Sequence, residues 1–111
     1  MAEPYLSDLK TIVEQACGRL GPAGDISCRH FFAGAAAYVD GWIFMTLTPV
    51  GLALKLGEED RARLFRRGAE PLRYFPKAPV KKAYALLPAR KIDDFDDLND
   101  LIARSIDFVR K

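Results

Sequence analysis

Apolar residues recur every three or four positions near the beginning of the chain and again at its end. From Leu6 to Leu20 this spacing predicts an amphipathic helix, which ends at Gly21 and Pro22. From about Phe95 to Val109 the same spacing predicts a final helix, with acidic residues first and basic residues last. Two helices therefore bracket the chain.

The segment between residues 29 and 56 has the character of antiparallel strands. Arg29 to Val39 is rich in aromatic, Ala and Val residues, and Asp40-Gly41 fits a two-residue type I′ hairpin turn. Trp42 to Thr48 is the predicted return strand. A turn at Pro49-Val50-Gly51 then leads to alternating apolar residues from Leu52 to Leu56.

The second half of the chain predicts one more helix and two short strands. Gly57 opens the helix and Gly68 ends it. The strands are Leu72 to Phe75 and Ala83 to Leu87, separated by a turn rich in Pro and Lys. The order α-β-β-β-α-β-β-α with short connections predicts a two-layer α+β fold, in which helices cover one face of a mainly antiparallel five-stranded sheet.

Composition restricts the class of protein. The chain has 111 residues, of which 50% are hydrophobic and 29% charged, which predicts a single soluble domain over residues 1–111. No run approaches the ~20 apolar residues of a membrane span. The acidic beginning, Met-Ala-Glu-Pro, is unlike a secretory signal. With only Cys17 and Cys28, eleven apart, we expect reduced thiols in a cytoplasmic protein that does not contact a membrane.

The net charge of +2 is small because a basic segment and an acidic remainder of the chain offset each other. Residues 55–91 hold eleven Lys or Arg against four acids. Such a segment is usually a solvated surface, but it could also neutralise the phosphates of a nucleic acid, while the acidic remainder could engage a basic partner. The residues that we predict for a partner or nucleic-acid surface are Arg61, Arg66, Arg67, Lys81 and Lys82.

Two clusters have the residue types of a reactive or metal site. Cys28 and His30 would share one face of a strand, as a thiol and imidazole do in nucleophilic catalysis, although a packed thiol beside an ordinary histidine explains them as well. Asp93, Asp94, Asp96 and Asp97 could bind a divalent cation, but a helix start explains them better. We therefore assign no catalytic residue, cofactor or metal.

Small and aromatic residues in the predicted sheet raise two further alternatives. The stretch from Ala33 to Ala37 either lets a helix lie close to the sheet or leaves a cleft, and the first use is commoner. Tyr38, Trp42 and Phe44 either fill the core or form a surface for a partner.

Four motifs resemble, in order, those of the TfoX/Sxy N-terminal domain family. Residues 28–41, CRHFFAGAAAYVDG, resemble the family's opening Arg-x-Met-Phe-Gly-Gly-x-Gly-x-Tyr-x-x-Gly, with Ala at several glycine positions. Leu52 to Lys55 resembles its Leu-Tyr-Leu-Lys strand, Gly68 to Tyr74 its Gly-x-x-Pro-Phe-x-Tyr, and Ala83 to Pro88 its Tyr-Tyr-x-x-Pro. The similarity spans nearly the whole chain.

The resemblance implies a small bacterial, cytoplasmic domain similar to the secretion-chaperone-like folds, several of which form dimers. Longer members resemble regulators that promote competence-gene transcription with a cyclic-AMP receptor protein, and they carry a second, C-terminal domain for which this chain has no room. The family supplies no catalytic residue. The resulting hypothesis is a non-enzymatic regulator or adaptor that binds a protein partner, as a monomer or homodimer. The alternatives are nucleic-acid binding through the basic 61–82 segment, and a small-molecule site or enzyme near Cys28 and His30.

Overall fold

The computed structural model describes residues 3–20, 25–31, 34–73 and 77–110. The helices are α1 (Glu3–Leu20), α2 (Glu58–Arg66) and α3 (Leu98–Arg110), with a 3₁₀ helix at Ala89–Asp94. The strands are β1 (Ile26–Phe31), β2 (Gly34–Val39), β3 (Trp42–Thr48), β4 (Gly51–Lys55), β5 (Glu70–Leu72) and β6 (Lys81–Pro88). No helix within these ranges combines the length and the hydropathy that a transmembrane span requires.

The strands form a single antiparallel sheet in the order β1-β2-β3-β4-β6-β5. Three hairpins in sequence build β1 to β4, and β6 then pairs with β4 while β5 pairs only with β6. The predicted α+β class and the antiparallel pairing are confirmed. The order of the sheet places β1 at one edge and the short β5 at the other.

The predicted number of five strands is wrong, because the described chain contains six. We expected one strand from Arg29 to Val39, where the structure has β1 and β2 paired with each other from Ile26↔Val39 to Phe31↔Gly34. The two residues between these strands are Phe32 and Ala33, which are not turn-forming types. A hairpin at this point therefore has no signature in the sequence.

Several element boundaries also differ from the prediction. The last helix begins at Leu98 rather than near Phe95, because the 3₁₀ helix precedes it and buries the Phe95 side chain. The strand expected from Leu72 to Phe75 is β5, which ends at Leu72; residues 74–76 lie outside the described part of the chain.

The described helices all contribute to the hydrophobic core on one face of the sheet. This confirms the prediction that helices cover one face. The helical core residues are Leu9, Val13 and Ala16 from α1, Leu64 from α2, and Leu101, Ile102 and Ile106 from α3. From the sheet they meet Ala35, Ala37, Val39, Met45, Leu47, Leu52, Leu54, Ala85 and Leu87.

Strand β2 is built from small residues because other backbone lies close to it. A Cβ at Gly34 would lie 2.1 Å from the Leu47 carbonyl oxygen, so no larger residue fits there without movement of β3. Ala35 and Ala37 are fully buried on the face that α1 covers. Close helix packing, rather than a cleft, is thus the use of this stretch.

The hairpin between β2 and β3 has the predicted turn. Asp40 and Gly41 both have positive φ, 50° and 86°, as a type I′ turn requires. The Asp40 carboxylate accepts a hydrogen bond from the Asp25 amide at 2.9 Å and pairs with Arg110 at 3.2 Å. One side chain thereby joins the turn, the start of β1 and the end of α3.

A buried hydroxyl joins α3 to the sheet. Ser105 Oγ lies 2.8 Å from the Phe44 carbonyl oxygen and 2.7 Å from that of Lys55, and its one proton is shared between these acceptors. Phe44 lies at a register shift, where Ala37 pairs with Met45 but Tyr38 pairs with Ile43. The hydroxyl therefore satisfies backbone carbonyls at the irregular end of β3 and at the end of β4.

Replacing Ser105 with Ala tests this contact. The variant leaves two carbonyls without their hydroxyl donor, and we expect the free energy of unfolding to fall by about 1–3 kcal/mol. Urea denaturation followed by circular dichroism measures the change. Ser7→Ala is the matched control, because Ser7 is an exposed residue of α1. Equal stability of both variants would show that Ser105 does not hold the helix.

Candidate partner-binding surface

The five basic residues predicted for the surface occupy the end of the sheet formed by β6 and β5. Arg61, Arg66 and Arg67 lie on or just after α2, while Lys81 and Lys82 begin β6. Helix α2 contacts β6, so the topology brings these two segments together. The structure then divides the five side chains by what each of them contacts.

Arg61 acts inside the fold. Its Nε donates to the Leu56 carbonyl at 3.0 Å, and its guanidinium also donates to the Lys82 carbonyl. These bonds connect α2 to the end of β4 and the start of β6. Since much of its hydrogen-bonding capacity is used on backbone, Arg61 is less available to a partner than its charge indicates.

Arg67 is also engaged within the protein. Its two terminal nitrogens donate to the two Asp97 oxygens at 3.0 and 2.8 Å, and the guanidinium carbon lies 5.0 Å from the centre of the Phe95 ring. This bidentate contact lowers the pKa of Asp97 and raises that of Arg67. Asp97 therefore holds the end of α2 against the segment before α3.

The neighbouring surface of α2 and α3 carries a network of charge pairs. Asp60 pairs with Arg63 on its own helix and with Arg104 of α3 at 3.2 Å. Arg104 also donates to Asp100 at 3.0 Å, and this contact is the main reason that the pKa of Arg104 is raised. The acids and bases of this face largely neutralise one another.

Arg66, Lys81 and Lys82 remain as exposed bases. None of their side-chain nitrogens forms an ion pair within the described residues. Lys81 and Lys82 belong to a wider basic region, because residues 69–92 contain six Lys or Arg and the single acid Glu70, and Arg66 lies just before it on α2. The formal balance of this segment is +5, and it surrounds the β5 edge of the sheet.

The second face of the sheet is not covered by any helix in the described ranges. Pairing aligns Ala36, Thr46, Ala53 and Leu86 in one row across β2, β3, β4 and β6 on this face. Leu86 belongs with Ala53 and Leu72 to a small hydrophobic cluster separate from the main core. This face is consequently apolar at its centre, with small side chains across β2 to β4.

A groove of about 610 Å³ lies beside this cluster, at the β5 edge. Its lining combines apolar side chains with two arginines and one glutamate. The lining residues are Pro49, Val50, Glu70, Pro71, Arg73, Leu86, Pro88, Ala89 and Arg90. No pattern in the sequence predicts this groove. Only the charge count over residues 55–91 included its arginines, and no pattern showed that Val50 and Leu86 share a face.

Cys28 and His30 lie on alternate positions of β1, as the sequence predicted, and so share a side of the strand. Cys28 is half-buried against the main core, whereas His30 is exposed. Among the described residues, no group of three or more His, Cys, Asp or Glu side chains could hold a metal ion. Asp97 instead pairs with Arg67, as described above.

The aromatic side chains that could either fill the core or face a partner divide between those roles. Phe44 is fully buried, Tyr38 is half-buried under Arg29, and Trp42 is 63% exposed at the hairpin. Trp42 begins β3, whereas the groove is lined by Pro49 and Val50 beyond the other end of that strand, and Trp42 is not among the lining residues. It is therefore not part of the same surface.

The family profile for the TfoX N-terminal domain matches residues 18–109, which is most of the chain. The chain belongs to the TfoX N-terminal domain family. The resemblance seen in the sequence motifs is thereby confirmed. No curated protein matches the chain significantly.

The Arg67–Asp97 pair leads to a pH-dependent prediction for this TfoX-type domain. Since folding lowers the pKa of Asp97, the pair stabilises the fold above the ordinary aspartate pKa of about 3.9, and this stability is lost as the pH falls through the lower folded value. Both side chains are more than one-third exposed, which limits the contribution to about 0.5–1 kcal/mol.

We therefore expect Asp97→Asn to reduce the free energy of unfolding at pH 7, by an amount that becomes smaller as the pH is lowered to 3. Urea denaturation at both pH values measures this difference. Asp107→Asn, at an exposed position of α3, serves as the control and should show no such pH-dependent loss. A deficit in Asp97→Asn that is the same at both pH values would contradict an electrostatic role.

Proposed function

We propose that this domain is a non-enzymatic bacterial regulator or adaptor of the TfoX type, which acts in the cytoplasm by binding a protein partner. The observation that carries the proposal is the asymmetry of the sheet. The described helices pack on one face, while the second face keeps an apolar groove beside a basic edge. A groove that combines an apolar lining with charged groups at its rim is typical of protein-binding sites.

The family supports a regulatory setting for this interaction. TfoX-type domains resemble regulators of competence-gene transcription, so we propose that the partner belongs to transcriptional control of competence-like genes. The domain binds it as a monomer or as a homodimer. Light scattering coupled to size exclusion distinguishes these two states by mass.

Affinity capture tests the protein-binding function. The tagged domain is exposed to nuclease-treated bacterial lysate, with an excess of untagged domain as competitor. We expect at least one protein to be retained without competitor and displaced by it, since specific binding saturates. Quantitative mass spectrometry measures the displaced proteins. A domain that retains nothing displaceable over a range of salt concentrations would argue against an adaptor.

Nucleic-acid binding is a second candidate, favoured by the exposed bases Arg66, Lys81 and Lys82, which form no ion pair with the residues that the structure describes. Phosphate contacts release counterions, so this function predicts an affinity for duplex DNA that falls steeply with salt. Electrophoretic mobility shifts measure it with the variant Arg66→Glu/Lys81→Glu/Lys82→Glu. We expect the triple variant to lose the shift if these side chains contact phosphates. A matched change at Arg67 is unsuitable, because that residue holds Asp97.

Arg29→Glu, compared with Arg66→Glu alone, provides a charge-matched control for this test. Arg29 is also exposed, but it lies on β1 at the opposite end of the sheet. An unchanged shift in the triple variant, or a shift insensitive to salt, would exclude DNA binding through the basic segment.

A further inference from the structure

The groove at the β5 edge has the two components of a peptide-binding site. Val50 and Leu86 line the groove on the helix-free face of the sheet as its apolar floor; Val50 is half-buried and keeps part of its side chain accessible, while Leu86 lies beneath it at 5% exposed. Pro71 and Pro88 extend this apolar lining and have no backbone N–H that would need a partner. An aliphatic side chain would gain burial there without leaving polar backbone unsatisfied.

Two arginines give the groove a positive charge. Arg90 is 73% exposed on its side chain, and its only ion pair among the described residues is a long one of 3.7 Å to Glu70. Arg73 donates one hydrogen bond to the Ala78 carbonyl at 2.8 Å and keeps further donors. Both lie within the segment of +5 formal charge, so the groove attracts a negatively charged ligand.

We infer that this groove binds an acidic peptide segment of the protein partner, with an aliphatic side chain over Leu86 and a carboxylate on Arg90. The inference rests on the proposed protein-binding function and names the chemistry of the partner. Arginine forks match carboxylate geometry, which gives the segment its orientation.

The lining favours a peptide over a nucleic acid. Single-stranded nucleic acids are held by aromatic side chains on which bases stack, and none of the described lining residues is aromatic. Glu70 also lies in the groove, where its carboxylate can accept peptide N–H groups, which a DNA backbone does not have. The apolar floor suits an aliphatic side chain rather than a ribose or phosphate.

Titration of the ¹⁵N-labelled domain with the peptide Ac-Glu-Asp-Leu-Asp-Glu-NH₂ tests the inference. We expect saturable shifts in the amide signals of Val50, Glu70, Leu86 and Arg90. In Arg73→Glu/Arg90→Glu the affinity should fall about tenfold or more, because both carboxylate contacts become repulsive. Arg29→Glu reverses one exposed charge on β1, outside the groove; compared with Arg90→Glu, it should keep the affinity within about twofold.

Two further probes separate the alternatives. Ac-Glu-Asp-Gly-Asp-Glu-NH₂ lacks the aliphatic side chain and should bind about tenfold more weakly, because the floor is then unused. A short oligothymidylate should not change the chemical shifts of the groove amides. Equal binding of both peptides, shifts confined to other surfaces, or saturation of the groove by the oligonucleotide would each overturn the inference. The inference would also be overturned if light scattering gave a doubled mass and the groove amide signals were perturbed before any peptide was added. A second copy of the domain would then fill the groove.

The fold of each variant is checked by its amide spectrum. If the double variant unfolds, Arg90→Glu alone provides the test, since that side chain is mostly exposed and makes no hydrogen bond to the backbone within the described residues. Affinity capture separates this inference from the function on which it rests. If the folded double variant still retains a displaceable partner, the groove is not the binding site, although the protein-binding function stands. If the domain binds the peptide but captures no partner, the adaptor function alone is refuted.

Discussion

The close approach of helices to one face of the sheet is the constraint on which the rest of the structure depends. Ala35 and Ala37 are fully buried on that face, where they belong to the same hydrophobic core as the residues of α1 and α3. Once α1 and α3 are seated there, the irregular end of β3 is left with a buried carbonyl, which Ser105 satisfies. Packing and hydrogen bonding thus select the same arrangement.

This arrangement also decides which charges face solvent. Helix α2 is fixed at the β6 end by Arg61, which bonds to backbone, and by Arg67, which bonds to Asp97. Charges that look equivalent along the chain therefore have different roles. The bases that remain available are concentrated on the hairpin of β5 and β6 and on the residues that follow it, where Glu70 is the single acid between residues 69 and 92.

These charges lie next to the helix-free face of the sheet. Its second hydrophobic cluster lies beside the groove, so the basic edge and the apolar floor adjoin. The described helices pack on the opposite face of the sheet, so none of them fills the groove.

The sequence by itself determined the α+β class, the antiparallel pairing, the Asp40-Gly41 turn and the family, because periodicity, turn chemistry and motifs are local properties. It missed the hairpin between β1 and β2, since Phe32 and Ala33 do not carry a turn signature. Only the tertiary structure decided that Arg67 pairs with Asp97, thirty positions away, and that Val50, Leu86 and Arg90 line one groove. These contacts join distant segments, and strand order, which local patterns do not specify, sets which of them meet.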